Sequence, residues 1–223
     1  TTGRLDFSSP KAEIFMSARV QKPLHEQRLE TFNDLEIEPI AQVADSYIIA
    51  RAEDGIWIID QHAAHERVLY ERTKKALINN APVKQPLLVP QEFEFSLKEK
   101  TLIEEHRAFL EQLGFEIELF GGNTFVMHAL PAQFAEVDMA LLFRSLFEEL
   151  ESGEERSVSP QEKIIRMIAC KAAVKFGQSL SVSEQKQLLK DWFKSSERLT
   201  CPHGRPVMVQ VTFEELERRF KRT

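Results

Sequence analysis

The chain has 223 residues, an apolar fraction of 43%, 16 Phe and a formal net charge of -6. That length is long for one ordinary domain and short for two, so one domain with an inserted or appended lobe is expected. The acidic balance excludes a surface that is basic throughout and confines any nucleic-acid contact to a local patch, while no apolar run approaches the roughly 18 residues of a membrane span.

Residues 1–36 mix Pro, Ser and charge, with one short helix candidate from His25 to Phe32, and read as a linker or flexible arm. Thr1 rather than Met stands first, which fits a piece of a longer protein, and no secretory signal opens it. Two cysteines give no disulfide framework and fit a reducing compartment. From Ile37 the pattern changes to short apolar strands, Ile37 to Ala44 and Tyr47 to Ala50, then a tight turn at Glu53-Asp54-Gly55 and a strand from Ile56 to Ile59. A helix of good formers follows, running to about Leu77. Asn79-Asn80-Ala81-Pro82 breaks it, and Gln85-Pro86-Leu87-Leu88-Val89-Pro90 comes next. Its two prolines forbid a central strand and predict an exposed extended segment. It is either a connector that tucks Leu87 and Leu88 into the core or a short motif that inserts them into a partner.

Residues 97–113 predict an amphipathic helix with Leu102, Phe109 and Leu113 on its apolar side and Gly114 as its C-cap. A hairpin around Gly121-Gly122-Asn123 and a helix from Met139 to Leu150 follow, so Phe93 to about Pro160 reads as a small α+β lobe. His106 and His128 in it read as ordinary histidines. A helix from Gln161 to Ser179, in which Cys170 would usually be a core thiol, precedes another with Ser183 as N-cap. The chain closes with a strand from Val207 to Val211 and a helix from Phe213 to Phe220. Arg218, Arg219, Lys221 and Arg222 end it as the best candidates for touching phosphate.

Chemistry concentrates at Asp60-Gln61-His62-Ala63-Ala64-His65-Glu66. Asp60 is a strand-end residue and a plausible N-cap, near the positive end of the helix dipole, where an ionised ligand is favoured. His62 and Glu66, four residues apart, share a helix face, which makes half of a metal site. Glu71 lies about 140° around the helix from Glu66 and is expected to support the site or pair with a cation rather than bind metal. Cys201 and His203 alternate across a proline-bounded turn at Gly204. Thiolate with imidazole selects zinc, whereas carboxylates and water suit manganese or magnesium. Asp60, His62 and Glu66 strengthen that pair provided the two segments meet in space.

Asp60-Gln61-His62-Ala63 followed by Glu66 and Glu71 resembles the DQHA(x)2E(x)4E motif of the endonuclease-type C-terminal domain of the MutL mismatch-repair family. Ala169-Cys170-Lys171 resembles its second motif, with Lys in place of the usual Arg, which keeps the charge and loses the planar fork. Cys201-Pro202-His203-Gly204-Arg205-Pro206 resembles the third, and Gln85-Pro86-Leu87-Leu88-Val89-Pro90 resembles the segment that engages the replication sliding clamp.

The resemblance implies a mixed α/β (α+β) fold: a dimerisation subdomain from 37–92 and 161–223, with 93–160 as an inserted external, regulatory subdomain. It implies a metal-dependent nicking endonuclease acting on duplex DNA, with Asp60 and Glu66 catalytic. Glu66, Cys201 and His203 would be the tight ligands, with His62, Asp60 and Cys170 completing the site. Zn2+ would take the thiolate-rich position and Mn2+ or Mg2+ an oxygen-rich one around Asp60 and Glu66. Glu71, Lys171 and Arg205 would support those ligands. Gln85, Leu87, Leu88 and Pro90 would bind the clamp. Implied partners are a second copy of the chain, duplex DNA, the sliding clamp and the mismatch-recognition protein MutS, in a bacterial, nucleoid-associated cytoplasmic setting. The alternative is a non-catalytic dimerisation and interaction module with one structural zinc. A zinc hydrolase for small molecules is weaker, because no His-Glu-x-x-His pair is present.

Overall fold

The structure, a computed structural model, describes residues 37–135, 137–151 and 157–222. The linker or flexible arm expected at 1–36 lies outside them. Two antiparallel sheets and six α-helices alternate in mixed α+β fashion among the described residues. Strands β1 (Glu38–Val43), β2 (Tyr47–Ala52) and β3 (Gly55–Asp60) form a meander, and β7 (Met208–Thr212) pairs with the far edge of β3, giving the order β1-β2-β3-β7. Alternation decides the faces: Ile48, Ala50, Trp57 and Ile59 are buried, while Ile49, Ile56 and Ile58 point the other way. Gly55 is dictated by its neighbour, because a Cβ there would stand 2.2 Å from the Val211 carbonyl oxygen on β7.

Helices α1 (Gln61–Ile78) and α5 (Val182–Phe193) cover the buried face, with Trp57 packed edge-on against Trp192. The second sheet, in order β4-β6-β5, consists of β4 (Lys84–Glu94), β5 (Glu116–Gly121) and β6 (Thr124–Pro131). With α2 (Leu97–Leu113) and α3 (Met139–Glu151) it encloses a Phe-rich core of Phe115, Phe125, Phe134, Phe143 and Phe147. Helix α4 (Pro160–Ala172) adds Ile164, Ile165 and Ile168 to that core and also packs on α1. The last helix, α6 (Phe213–Arg219), follows β7.

Helix α2 has its predicted Gly114 cap, but its fully buried line is Ile103, Leu110 and Leu113, with Leu102 and Phe109 only partly buried beside it. Helix α5 starts at Ser181, not Ser183, because Glu184 falls three residues after Ser181 and closes a reciprocal capping box. Helix α4 ends at Ala172, seven residues before the predicted Ser179, with Ala173 turned to extended backbone. Strand β4 holds the proline-broken segment as an edge strand, as the prolines require. Its pairing with β6 is interrupted between Pro86 and Gln91; Leu88 is fully exposed, while Leu87 is half-buried against the Phe-rich core.

Candidate metal centre

The site is built on the first turns of α1. Asp60 ends β3 and caps the helix, its Oδ1 accepting from the Ala63 N–H at 3.0 Å. Gln61 is wholly buried and ties two loops together, donating to the carbonyls of Asp45 and Gln178 at 2.8 Å each. One turn along, Glu66 is 0% exposed, and both its carboxylate oxygens lack a hydrogen bond. His62 Nε2 stands 3.1 Å from Oε1 and His203 Nδ1 3.5 Å from Oε2, but neither ring presents an N–H along the line to the oxygen. Both nitrogens therefore stand at contact distance from the carboxylate without a hydrogen bond to it.

Two sets of possible donors meet at this carboxylate: His62, Glu66 and Cys170, then Glu66, Cys201 and His203, each set within 4.8 Å atom to atom. Glu66 belongs to both. The segments that sequence spacing leaves apart therefore meet, α4 bringing Cys170 and the loop before β7 bringing Cys201 and His203. Two thiols, two imidazoles and a buried unpartnered carboxylate fit a borderline cation such as zinc. Asp60 joins neither set.

Helix α1 also positions the loop. Arg67, buried, donates from Nε to the Thr200 carbonyl at 2.7 Å, immediately before Cys201. Glu71 accepts from the Ser196 N–H and hydroxyl at 3.0 Å and from the Glu197 N–H at 3.2 Å. The loop closes on itself through Cys201 N–H to the Arg205 carbonyl (2.8 Å) and Gly204 N–H to the Cys201 carbonyl (2.9 Å). Gly204 sits there at φ +79°, which a side chain rarely adopts. Arg205 thus contributes its backbone, its side chain being exposed, and Lys171 is half-buried.

Burial opposes ionisation of Glu66, yet contact with His203, His62 and Cys170 outweighs it and holds the carboxyl far below the usual range. His62 is pushed up to about 10 by Cys170 and then Glu66, and His203 to about 10 by Cys201 and then Glu66. A cation entering the cluster competes with protons. His65, on another face, is lowered to about 4, first by burial and then by the charge of Arg72.

Gln61, Arg67 and His65 escaped sequence reasoning. All three act on distant backbone groups, and the only signal was their place inside the Asp60–Glu71 motif. Two cavities, of about 290 and 610 Å3, share His65, Val174, Leu180 and Glu184 in their walls; none of the five donor residues lines either one. Lys171 lines the larger. In β4, Gln85 and Pro90 are exposed beside Leu88. At the chain end Arg218, Arg219, Lys221 and Arg222 are exposed, with Arg219 paired to Glu215 at 2.6 Å.

Residues 40–180 match the family described as the MutL C terminal dimerisation domain. Over 216 residues, 96% of this chain and 33% of the relative, it is 38% identical to the DNA mismatch repair protein MutL of Desulforamulus reducens. The same-named proteins of Syntrophus aciditrophicus (41% over 180 residues; 80% of this chain, 29% of the relative) and Pelodictyon phaeoclathratiforme (34% over 192; 85% and 31%) are also similar. The chain belongs to the MutL C-terminal dimerisation domain family. It spans about a third of the length of the curated relatives it matches. Among the described residues, no helix is long and apolar enough to cross a membrane.

Proposed function

We propose that this domain is a metal-dependent endonuclease that nicks duplex DNA in bacterial mismatch repair. The observation that carries the reading is Glu66, a buried carboxylate with no hydrogen bond, shared by two converging donor sets. Glu66, Cys201, His203, His62 and Cys170 would hold Zn2+, and Asp60 with Glu66 would serve Mn2+ or Mg2+. A bound ion would lower the pKa of an attacking water and offset charge on the phosphate. The chain's own residues keep Glu66 ionised, exclude water from it, and fix the loop of Cys201 and His203 through Arg67 and Glu71.

A chain of net charge -6 has little affinity for DNA of its own. Delivery by partners, the sliding clamp at Gln85-Pro86-Leu87-Leu88-Val89-Pro90 and MutS, would raise the effective concentration. The basic end of α6 would meet phosphate. The open face of the first sheet, with Ile49, Ile58 and Val209 in one row and Ile56 and Val211 in the next, would seat a second copy as a homodimer. Ile58→Lys should then lower the mass read by light scattering toward that of one chain.

The test of the endonuclease is nicking of supercoiled plasmid with added manganese, with and without the clamp. Nicking that disappears in folded Glu66→Gln and Asp60→Asn supports the reading. The rival, a non-catalytic module with a structural zinc, draws on the thiolates that tie α1, α4 and the Cys201 loop together. It predicts unfolding on chelation and no nicking under any condition.

A further inference from the structure

We propose that His65 is a positioning residue of this metal centre, fixing the ring of His62 through the backbone of Val174. The inference rests on the metal reading of the site. It starts from the early end of α4: the sequence is helical in character to Ser179, but the chain leaves the helix at Ala173, with ψ 148°. Val174 beyond it lies in no helix, and both its backbone groups turn to α1. Its N–H donates to His65 Nδ1 at 3.0 Å, and its carbonyl accepts from His62 Nδ1 at 2.8 Å. The N–H and C=O of this one residue, carried by two successive peptide units, thus serve two histidines three residues apart on a helix.

The consequence is a chosen tautomer at each ring. His65 accepts at Nδ1 and so carries its proton on Nε2. His62 donates from Nδ1, which leaves Nε2, 3.1 Å from Glu66 Oε1, as the atom that can bind a cation. Both cavities are walled by His65 and Val174, so the peptide has room to turn once the hydrogen bond to His65 is gone. The chain beyond is held independently, Lys175 N–H by Gln178 Oε1 at 3.0 Å and Gly177 N–H by Ser46 Oγ at 2.9 Å. Losing the His65 contact should therefore free the Val174 peptide without unfolding the segment.

The experiment uses the 223-residue chain, His65→Ala, and His65→Gln, whose amide oxygen can accept the same N–H. Cobalt(II) binding is followed by its thiolate absorption, and the His62 Nδ1–H by proton NMR of the metal-free protein. In His65→Ala, cobalt affinity should fall by about 10- to 100-fold, the cost typical of losing a ligand's supporting partner. The Nδ1–H signal should broaden by exchange with water, and His65→Gln should restore both. Unchanged cobalt affinity and an unchanged signal in His65→Ala would overturn the inference, as would equal losses in the Ala and Gln variants. A parent chain that binds no cobalt would sink the metal reading instead, leaving the Nδ1–H comparison to decide the link through Val174. If His65→Ala fails to fold, His65→Gln beside His65→Leu decides on the same two readouts.

Discussion

Helix α1 carries two buried carboxylates, five residues apart, in opposite circumstances. Glu71 is answered by three donors of the Ser196 loop, with Lys75 Nζ 3.9 Å away. Glu66 is more deeply buried and, among the described residues, has no hydrogen bond, only imidazoles and thiols drawn up around it. Burying a charge costs several kcal/mol unless it is compensated, and the two sites compensate differently. At Glu71 the compensation is fixed backbone and hydroxyl dipoles, which suit a permanent structural joint. At Glu66 it is a ring of titratable groups, each a metal ligand once deprotonated. A buried acid with every partner in place is architecture; one facing only other possible ligands is the arrangement from which the metal proposal starts.

The sharpest way to break this contrast is to neutralise each acid in turn. Glu66→Gln should lose metal-dependent nicking by at least about 100-fold, the upper end of what a mere supporting partner costs. The metal-free chain should remain folded, because His62 and His203 can shed their protons when the carboxylate is gone. Glu71→Ala should do the reverse. Leaving the Ser196 and Glu197 N–H groups unanswered should cost about 3 kcal/mol in urea unfolding, with a smaller loss of nicking through a looser Cys201 loop. Comparable loss of nicking from both substitutions, or stability lost at Glu66 alone, would erase the distinction.

The difference between the two glutamates is partly legible in the sequence. The four-residue spacing put His62 and Glu66 on one face, and the helical angle put Glu71 elsewhere; both readings agree with the geometry. The Asp60 cap, the Gly114 cap and the edge character of β4 were equally local, since each depends on a residue's own backbone preference. That Cys170, Cys201 and His203 would converge on Glu66 was not in any periodicity; it came from resemblance of motifs. The end of α4 was hidden because tertiary partners on α1 claim the backbone of Val174. The buried line of α2 slipped by one residue because Leu102-Ile103 and Phe109-Leu110 are adjacent apolar pairs, between which pattern alone cannot choose. Ser181 was readable: Glu184 completes a capping box for it, and Lys186 completes none for Ser183.

Two neighbouring leucines repeat the contrast on a smaller scale, one engaged and one left over. Leu87 packs partly on the Phe-rich core, whereas Leu88 is fully exposed in a stretch of β4 whose pairing is interrupted. Leu88→Ala alone should leave the melting temperature unchanged and weaken only clamp-stimulated nicking. Adding Leu87→Ala should cost about 1 kcal/mol, less than full burial of a leucine is worth, and leave zinc content intact. Loss of zinc in the double variant would mean that β4 supports the metal centre after all.

Glu162 on α4 offers an intermediate case, a carboxylate at the edge of burial answered by side chains alone. The Tyr70 hydroxyl donates to it, Arg166 Nε stands at 3.1 Å and Lys74 Nζ at 3.4 Å. Burial works against its ionisation, but Tyr70, Arg166 and Lys74 together hold its carboxyl below the ordinary 4.5. A carboxyl lowered on folding contributes stability that is fully present above pH 4.5 and is lost as pH falls through the lowered value. Glu162→Gln should therefore be less stable than the parent by about 1 kcal/mol at neutral pH, since the hydroxyl keeps an acceptor in the amide and only the charge is lost. That gap should close steadily as the pH drops below 4.5 in parallel urea titrations. A gap that persists unchanged in acid would mean that packing between α1 and α4, not the charge of Glu162, holds this joint.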